Sequence, residues 1–146
     1  MSRGGPEKVH LIPDGDRIIN VGHLADGRMY FVDGQLVWTP PAVTQDFVCT
    51  FLFDRDGHLI NHNIELIGTR GSYAIGAGSA ALSRHLSALE KPSPSDIWVR
   101  PFSIQSNGTV FGLVPRQTED GEWRVTFMPG NTLEFYPPWV EGGYDT

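Results

Sequence analysis

The chain is poor in cysteine, in lysine and in long apolar runs, and each shortage narrows its class. A single cysteine, Cys49, leaves no intramolecular disulfide to build. That suits a reducing compartment, so a cytoplasmic location is the expectation. The opening Met1-Ser2-Arg3-Gly4-Gly5-Pro6 lacks the apolar core of a secretory signal. No segment approaches the ~20 apolar residues of a spanning helix, so no membrane role is expected. Lysine occurs only as Lys8 and Lys91, and the other basic residues are scattered singly. A net charge of −6 with a pI near 5.2 argues against nucleic-acid binding, which needs clustered cations. No CxxC pair is present, and His10, His23 and His85 are scattered, so no metal site is expected.

Hydrophobic residues make up 40% of the 146 and charged residues 19%, enough to fold and too little charge for disorder. One domain is expected over 1–146, with loose ends at about 1–7 and 141–146. The pattern predicts an α+β fold: a mainly antiparallel β meander of about nine or ten short strands. They would form a curved sheet or partial barrel with one α-helix near 79–90.

The stretch 46–67 organises the prediction. It reads as a long β-hairpin around Asp56-Gly57, a dipeptide favoured in two-residue type I′ turns. That turn pairs Phe53 with Ile60, Phe51 with His62, Cys49 with Ile64 and Phe47 with Leu66. The apolar residues then share one face. Thr50, Asn61, Asn63 and Glu65 occupy the other, with Val48 and Leu52 as exceptions. A three-residue loop bulged at Gly57 would instead pair Phe51 with Asn61. A one-residue slip turns one strand's side chains over, so the first register is preferred.

Further strands are expected at 8–12, 17–25, 28–32, 35–39, 97–105, 109–117 and 132–136. They alternate with turns at Pro13-Asp14-Gly15-Asp16, Asp26-Gly27, Asp33-Gly34, Asn107-Gly108, Asp120-Gly121 and Pro129-Gly130. Pro40-Pro41 stops one strand, and residues 73–75 form a short stub. Type I′ geometry at Asn107-Gly108 pairs Ile104 with Phe111 and Phe102 with Leu113. Trp123, Val125 and Phe127 share a face after Asp120-Gly121. The helix is read from Leu82, Leu86 and Leu89 at i, i+4, i+7, with Ser79 as N-cap and Lys91 at its negative end. Pro92-Ser93-Pro94-Ser95 follows as a stiff linker.

Candidate chemistry is sparse. Cys49 and His62 are diagonal neighbours on one face of the hairpin, with His58 near its tip. A thiol and an imidazole so placed suit a nucleophile–base pair; they equally suit a core thiol beside a hydrogen-bonded histidine. Asp54, Asp56 and Glu65 fall at positions 1, 3 and 12 of a calcium loop, but Leu59 stands where position 6 needs glycine. Gly76-Ala77-Gly78-Ser79-Ala80-Ala81 matches G-x-G-x-x-A without the βαβ context a dinucleotide requires, so no cofactor is expected. The stretch from Ala74 to Ala81 resembles the glycine-rich helix start of proteasome-type N-terminal nucleophile hydrolases. That family's chemistry requires a Thr, Ser or Cys heading a strand. Here Ser2 heads Arg3-Gly4-Gly5-Pro6, and no activity is carried over.

Two functions are expected from this reading. The first is a small acidic, non-catalytic protein-binding module, an inhibitor or immunity-like factor. Its binding residues would include Asp54 and Asp56 on an acidic rim of turns and the aromatic Tyr136 and Trp139. The second is a small enzyme or ligand-binding barrel with Cys49, His58 and His62 near a pocket.

Overall fold

The structure, a computed structural model, describes residues 5–39 and 43–146. The Pro40-Pro41 stop and the Ser2 position fall outside the described residues. Twelve strands and one α-helix follow in order: β1 (Val9–Leu11), β2 (Asn20–His23), β3 (Met29–Thr39), β4 (Val43–Phe53), β5 (Leu59–Thr69) and α1 (Ala77–Ser87). Then come β6 (Ser93–Pro94), β7 (Ile97–Val99), β8 (Phe102–Ser106), β9 (Thr109–Gln117), β10 (Trp123–Met128), β11 (Glu134–Phe135) and β12 (Tyr144–Asp145). A 3-10 turn at Trp139–Glu141 precedes β12.

Among the described residues all pairing is antiparallel, and no sheet closes into a barrel. One five-stranded sheet has the order β5-β4-β3-β2-β6, and the other β12-β11-β10-β9-β8; β1 and β7 form a separate ribbon. The two sheets face each other across aromatic rings. Phe31 and Phe51 of the first meet Phe127 of the second, with Phe31 and Phe127 5.1 Å apart, and Phe47 meets Phe111 at 5.2 Å. Burial of each such ring contributes roughly 1.5–3 kcal/mol. The ribbon adds Val9, Leu11, Ile97 and Val99 to the same core.

The first sheet buries its other face under α1. Leu24, Tyr30, Val32, Val48 and Ala81 form this second cluster, with Leu52, Ile67, Leu82, Leu86 and Leu89 packed against it. This explains Val48 and Leu52, the apolar exceptions on the polar face: they lie beneath the helix. The order is therefore helix, sheet, sheet, and the first sheet is apolar on both sides.

The central hairpin combines both sequence-derived registers. Asp54 N–H donates to His58 and Gly57 N–H to Asp54, with Gly57 at φ 89°; this is a type I turn closed by a glycine bulge. Phe53 therefore pairs with Leu59, not Ile60. A second bulge at Ile60 then restores the preferred register, giving Phe51 with His62, Cys49 with Ile64 and Phe47 with Leu66. The turns at Asp26-Gly27 and Asp120-Gly121 repeat the bulged form, with Gly27 at φ 91° and Gly121 at φ 87°. Only Asn107-Gly108 among these pairs has both residues at positive φ, 50° and 77°, because asparagine tolerates that region. Its register, Ile104 with Phe111 and Phe102 with Leu113, is the expected one.

Several expectations are corrected. Asp33-Gly34 is no turn: β3 runs unbroken through it, and Asp33 pairs with Cys49. The long ladder to β4 overrides the local Asp-Gly preference. The segment 97–105 splits at Arg100-Pro101, so β7 pairs with β1 while β8 enters the hairpin. Tyr73-Ala74-Ile75 is loop, with the Tyr73 hydroxyl donating to Asp46 at 2.8 Å. At Pro129-Gly130 the positive φ falls on Asn131 at 52°, which excludes the type II turn. The helix starts two residues and ends three residues earlier than 79–90, with Gly76 in place of Ser79 at its N-cap. The end of the chain, read as a tail, supplies β12 on the edge of the second sheet.

Candidate functional site

A groove of about 330 Å³ runs between the edge strand β5 and the C-terminal half of α1. Asn61, His62, Asn63 and Glu65 form one wall, and Arg84, His85, Ala88 and Leu89 the other. Thr50 and Leu52 of β4 form its floor. Strand alternation and helix periodicity make this arrangement. In the observed register Thr50 pairs with Asn63 and Leu52 with Asn61, which turns these side chains to the helix side. Residues 81, 84, 85, 88 and 89 recur at helical spacing and face the sheet end of the groove.

One hydrogen-bonded chain crosses the floor. His85 is almost wholly buried, its side chain 1% exposed. Its Nδ1 lies 2.6 Å from the Thr50 hydroxyl, and its Nε2 lies 2.9 Å from Glu65 Oε1. Arg84 donates to the other Glu65 oxygen. Burial works to raise the Glu65 pKa, but His85 and Arg84 together outweigh it and hold the carboxyl below its ordinary value. An ionised Glu65 accepts a hydrogen bond from His85 Nε2–H; in the neutral imidazole this makes Nδ1 the acceptor of the Thr50 proton. Chemically this is a hydroxyl facing a base that a carboxylate orients. Structurally it ties α1 to β4 and β5 with every partner satisfied. Among the described residues, no buried side-chain polar atom lacks a hydrogen bond.

β5 is the other half of the site. It is eleven residues long, lies at the sheet edge, and has no strand on its outer side among the described residues. It carries neither lysine nor proline, and its one charge, Glu65, turns to the helix. Edge strands usually carry such groups as a guard against pairing. Leu66 is 51% exposed and Ile60 50%.

The residues singled out from the sequence are distributed as follows. Cys49 is fully buried between the sheets, and burial, with a smaller contribution from the nearby Asp33 charge, pushes its thiol up to about 12. His62 is exposed in the groove wall, and His58 is exposed at the hairpin tip, 3.4 Å from Asp54. The structure does not bring these three together around one pocket. Asp54 Oδ1 accepts the amides of Asp56 and His58, both at 2.9 Å, and so serves its own turn. Asp54, Asp56 and His58 do place donor atoms within 4.8 Å of one another, but at a mostly exposed turn that these bonds already explain. Asp14 and Asp26 cap their loops in the same way. Tyr136 lies under the Arg124 guanidinium, 5.9 Å from its carbon, and Trp139 packs half-buried against the core. The grouping of Thr50, Glu65 and His85 is not foreseen from the sequence, where Glu65 and His85 enter only as metal ligands and are set aside. Their signals were the shared hairpin face of Thr50 and Glu65, and a histidine lying on the leucine face of the helix.

Among the described residues, no helix is long and apolar enough to cross a membrane. No family model, curated protein or solved structure matches the chain.

Proposed function

We propose that the chain is a non-catalytic protein-binding module that takes an extended segment of a partner into the groove between β5 and α1. The observation that carries this reading is an eleven-residue edge strand, without lysine or proline, beside a helix wall. A partner strand would add its backbone hydrogen bonds to β5 and place alternate side chains against Ala88 and Leu89. The bulges at Ile60 and Ile67 limit the regular stretch to residues 61–66. Six residues span about 20 Å, enough for a short recognition segment. An inhibitor or immunity-like role, in the cytoplasm, is the setting proposed for such a module. The turn acids Asp54 and Asp56 lie at one end of β5 and would steer a basic partner.

The test is selection from a phage-displayed peptide library on the wild-type chain. Selected peptides should bind wild type and fail to bind Asn61→Lys/Asn63→Lys, whose lysines guard the edge at two exposed positions. Failure to enrich any peptide, or equal binding by the variant, would count against strand addition.

A second reading, a small enzyme, rests on the Thr50–His85–Glu65 chain in the same groove. Covalent capture of Thr50 by a fluorophosphonate probe, lost in Thr50→Val, would favour it. Absence of any adduct would leave the chain its structural role.

A further inference from the structure

A second cavity lies away from the groove. It measures about 210 Å³ and is lined by Asp16, Arg17, Ile19, Asp33, Thr132 and Leu133, with Gly34. A larger cavity of about 400 Å³ shares Ile19, Asp33, Gly34 and Thr132 with it; its remaining wall combines the apolar Leu36, Phe47, Val48, Ile67 and Leu82 with the polar Asn20, Gln35, Tyr73 and Ser79 and the Asp46–Arg70 ion pair. The two lie side by side, with these four residues lining both.

Two opposite charges share the smaller cavity without touching. Asp33, half-buried, accepts one hydrogen bond, from Gly34 N–H at 2.8 Å. Burial raises the Asp33 pKa to about 6, opposed by the Gly34 amide and, least, by the charge of Arg17, so the two charges feel one another. No ion pair joins them, and among the described residues the Arg17 side chain has no hydrogen-bond partner. Elsewhere comparable acids are engaged: Asp46 holds Arg70 and Tyr73, and Asp14 holds Tyr144. Thr132 Oγ1 accepts from Gln35 Nε2 at 2.9 Å, which leaves its hydroxyl proton to donate. Asp16, on the rim, is a further exposed acid.

We propose that these adjoining cavities bind a free α-amino acid with an apolar side chain, its ammonium on Asp33 and its carboxylate on Arg17 and Thr132. The gap between an unpaired carboxylate and an unpaired guanidinium is complementary to a ligand carrying the reverse pair. The smaller cavity takes the zwitterionic head. The larger takes the side chain against its apolar part, Leu36, Phe47, Val48, Ile67 and Leu82. A ligand lacking either head group leaves one charge unanswered, so both groups are required.

The experiment is thermal-shift titration and calorimetry of the wild-type chain with the standard amino acids, leucine and phenylalanine foremost. A saturable rise in Tm is expected for apolar amino acids. Leucinol, without the carboxylate, and 4-methylpentanoate, without the ammonium, should each bind at least tenfold more weakly. Asp33→Asn and Arg17→Gln should each weaken leucine binding by a similar factor while keeping the far-ultraviolet dichroism of wild type. Arg17 is exposed, so its variant tests the site without disturbing the core. No saturable shift with any amino acid, or equal binding of leucine and both analogues, would overturn the proposal.

Discussion

Alanine at Gly57 and at Gly108 should separate backbone strain from tertiary docking. Both residues occupy positive φ, 89° and 77°, so both variants share the cost of holding an L-residue there. That cost is about 1 kcal/mol for alanine. Gly108 has nothing within 4 Å of an added Cβ, and its cost should end there. At Gly57 the Cβ would lie 2.8 Å from the Trp98 carbonyl oxygen and 3.1 Å from the Val99 Cα. Both are backbone atoms of β7, which a rotamer change cannot move. The tip is also bonded there: Arg100 N–H donates to the Gly57 carbonyl at 2.9 Å, and Arg100 Nε to Asp56 at 3.1 Å. Forcing these elements apart adds overpacking of about 1–3 kcal/mol. Gly57→Ala should therefore cost about 2–4 kcal/mol in all. With a urea m-value near ~2 kcal/mol/M, the midpoint falls by about 1–2 M for Gly57→Ala and about 0.5 M for Gly108→Ala. Equal shifts in the two variants would refute the docking of the hairpin tip on β7. Unchanged midpoints in both would refute the turn assignment itself.

Cys49 should resist thiol reagents in the folded protein and react at the rate of the unfolded chain only after denaturation; fast labelling under native conditions would contradict its burial. Thr50→Val keeps the side-chain shape but leaves buried His85 Nδ1 without its partner, and should cost about 1–3 kcal/mol by denaturant titration. Asp33 has its carboxyl raised from 3.8 to about 6, chiefly by burial, with only Gly34 N–H and the Arg17 charge opposing. The native state then holds this proton more tightly than the unfolded chain does. Its contribution is full below about pH 4 and lost as pH rises through about 6. Asp33→Asn should accordingly stabilise the protein by roughly 1–3 kcal/mol at pH 8 and change little at pH 4. Equal effects at both pH values would contradict the burial of the charge.

Much of the fold was legible because alternation and turn chemistry are local signals. The register that puts Cys49 beside Ile64 follows from one argument about faces, and it survives a different turn because the bulge at Ile60 compensates. Asp33-Gly34 misled for the opposite reason: the pairing of β3 with β4 along eleven residues is a long-range interaction that no dipeptide reports. The candidate site was half visible. The hairpin register already placed Thr50, Asn63 and Glu65 on one face. That His85 would descend on that face depends on where α1 docks, which is decided by Val48, Leu52 and Ala81 packing together. Likewise the Asp33 cavity is made by a loop, a strand and the approach to β11 meeting, residues far apart in the chain.

The central claim is that β5 receives a partner strand, and amide hydrogen exchange on β5 tests it most directly. A library-selected peptide should slow exchange at outward-facing amides within residues 61–66 and leave the edges β6, β8 and β12 unchanged. Protection elsewhere with none on β5 would contradict the account.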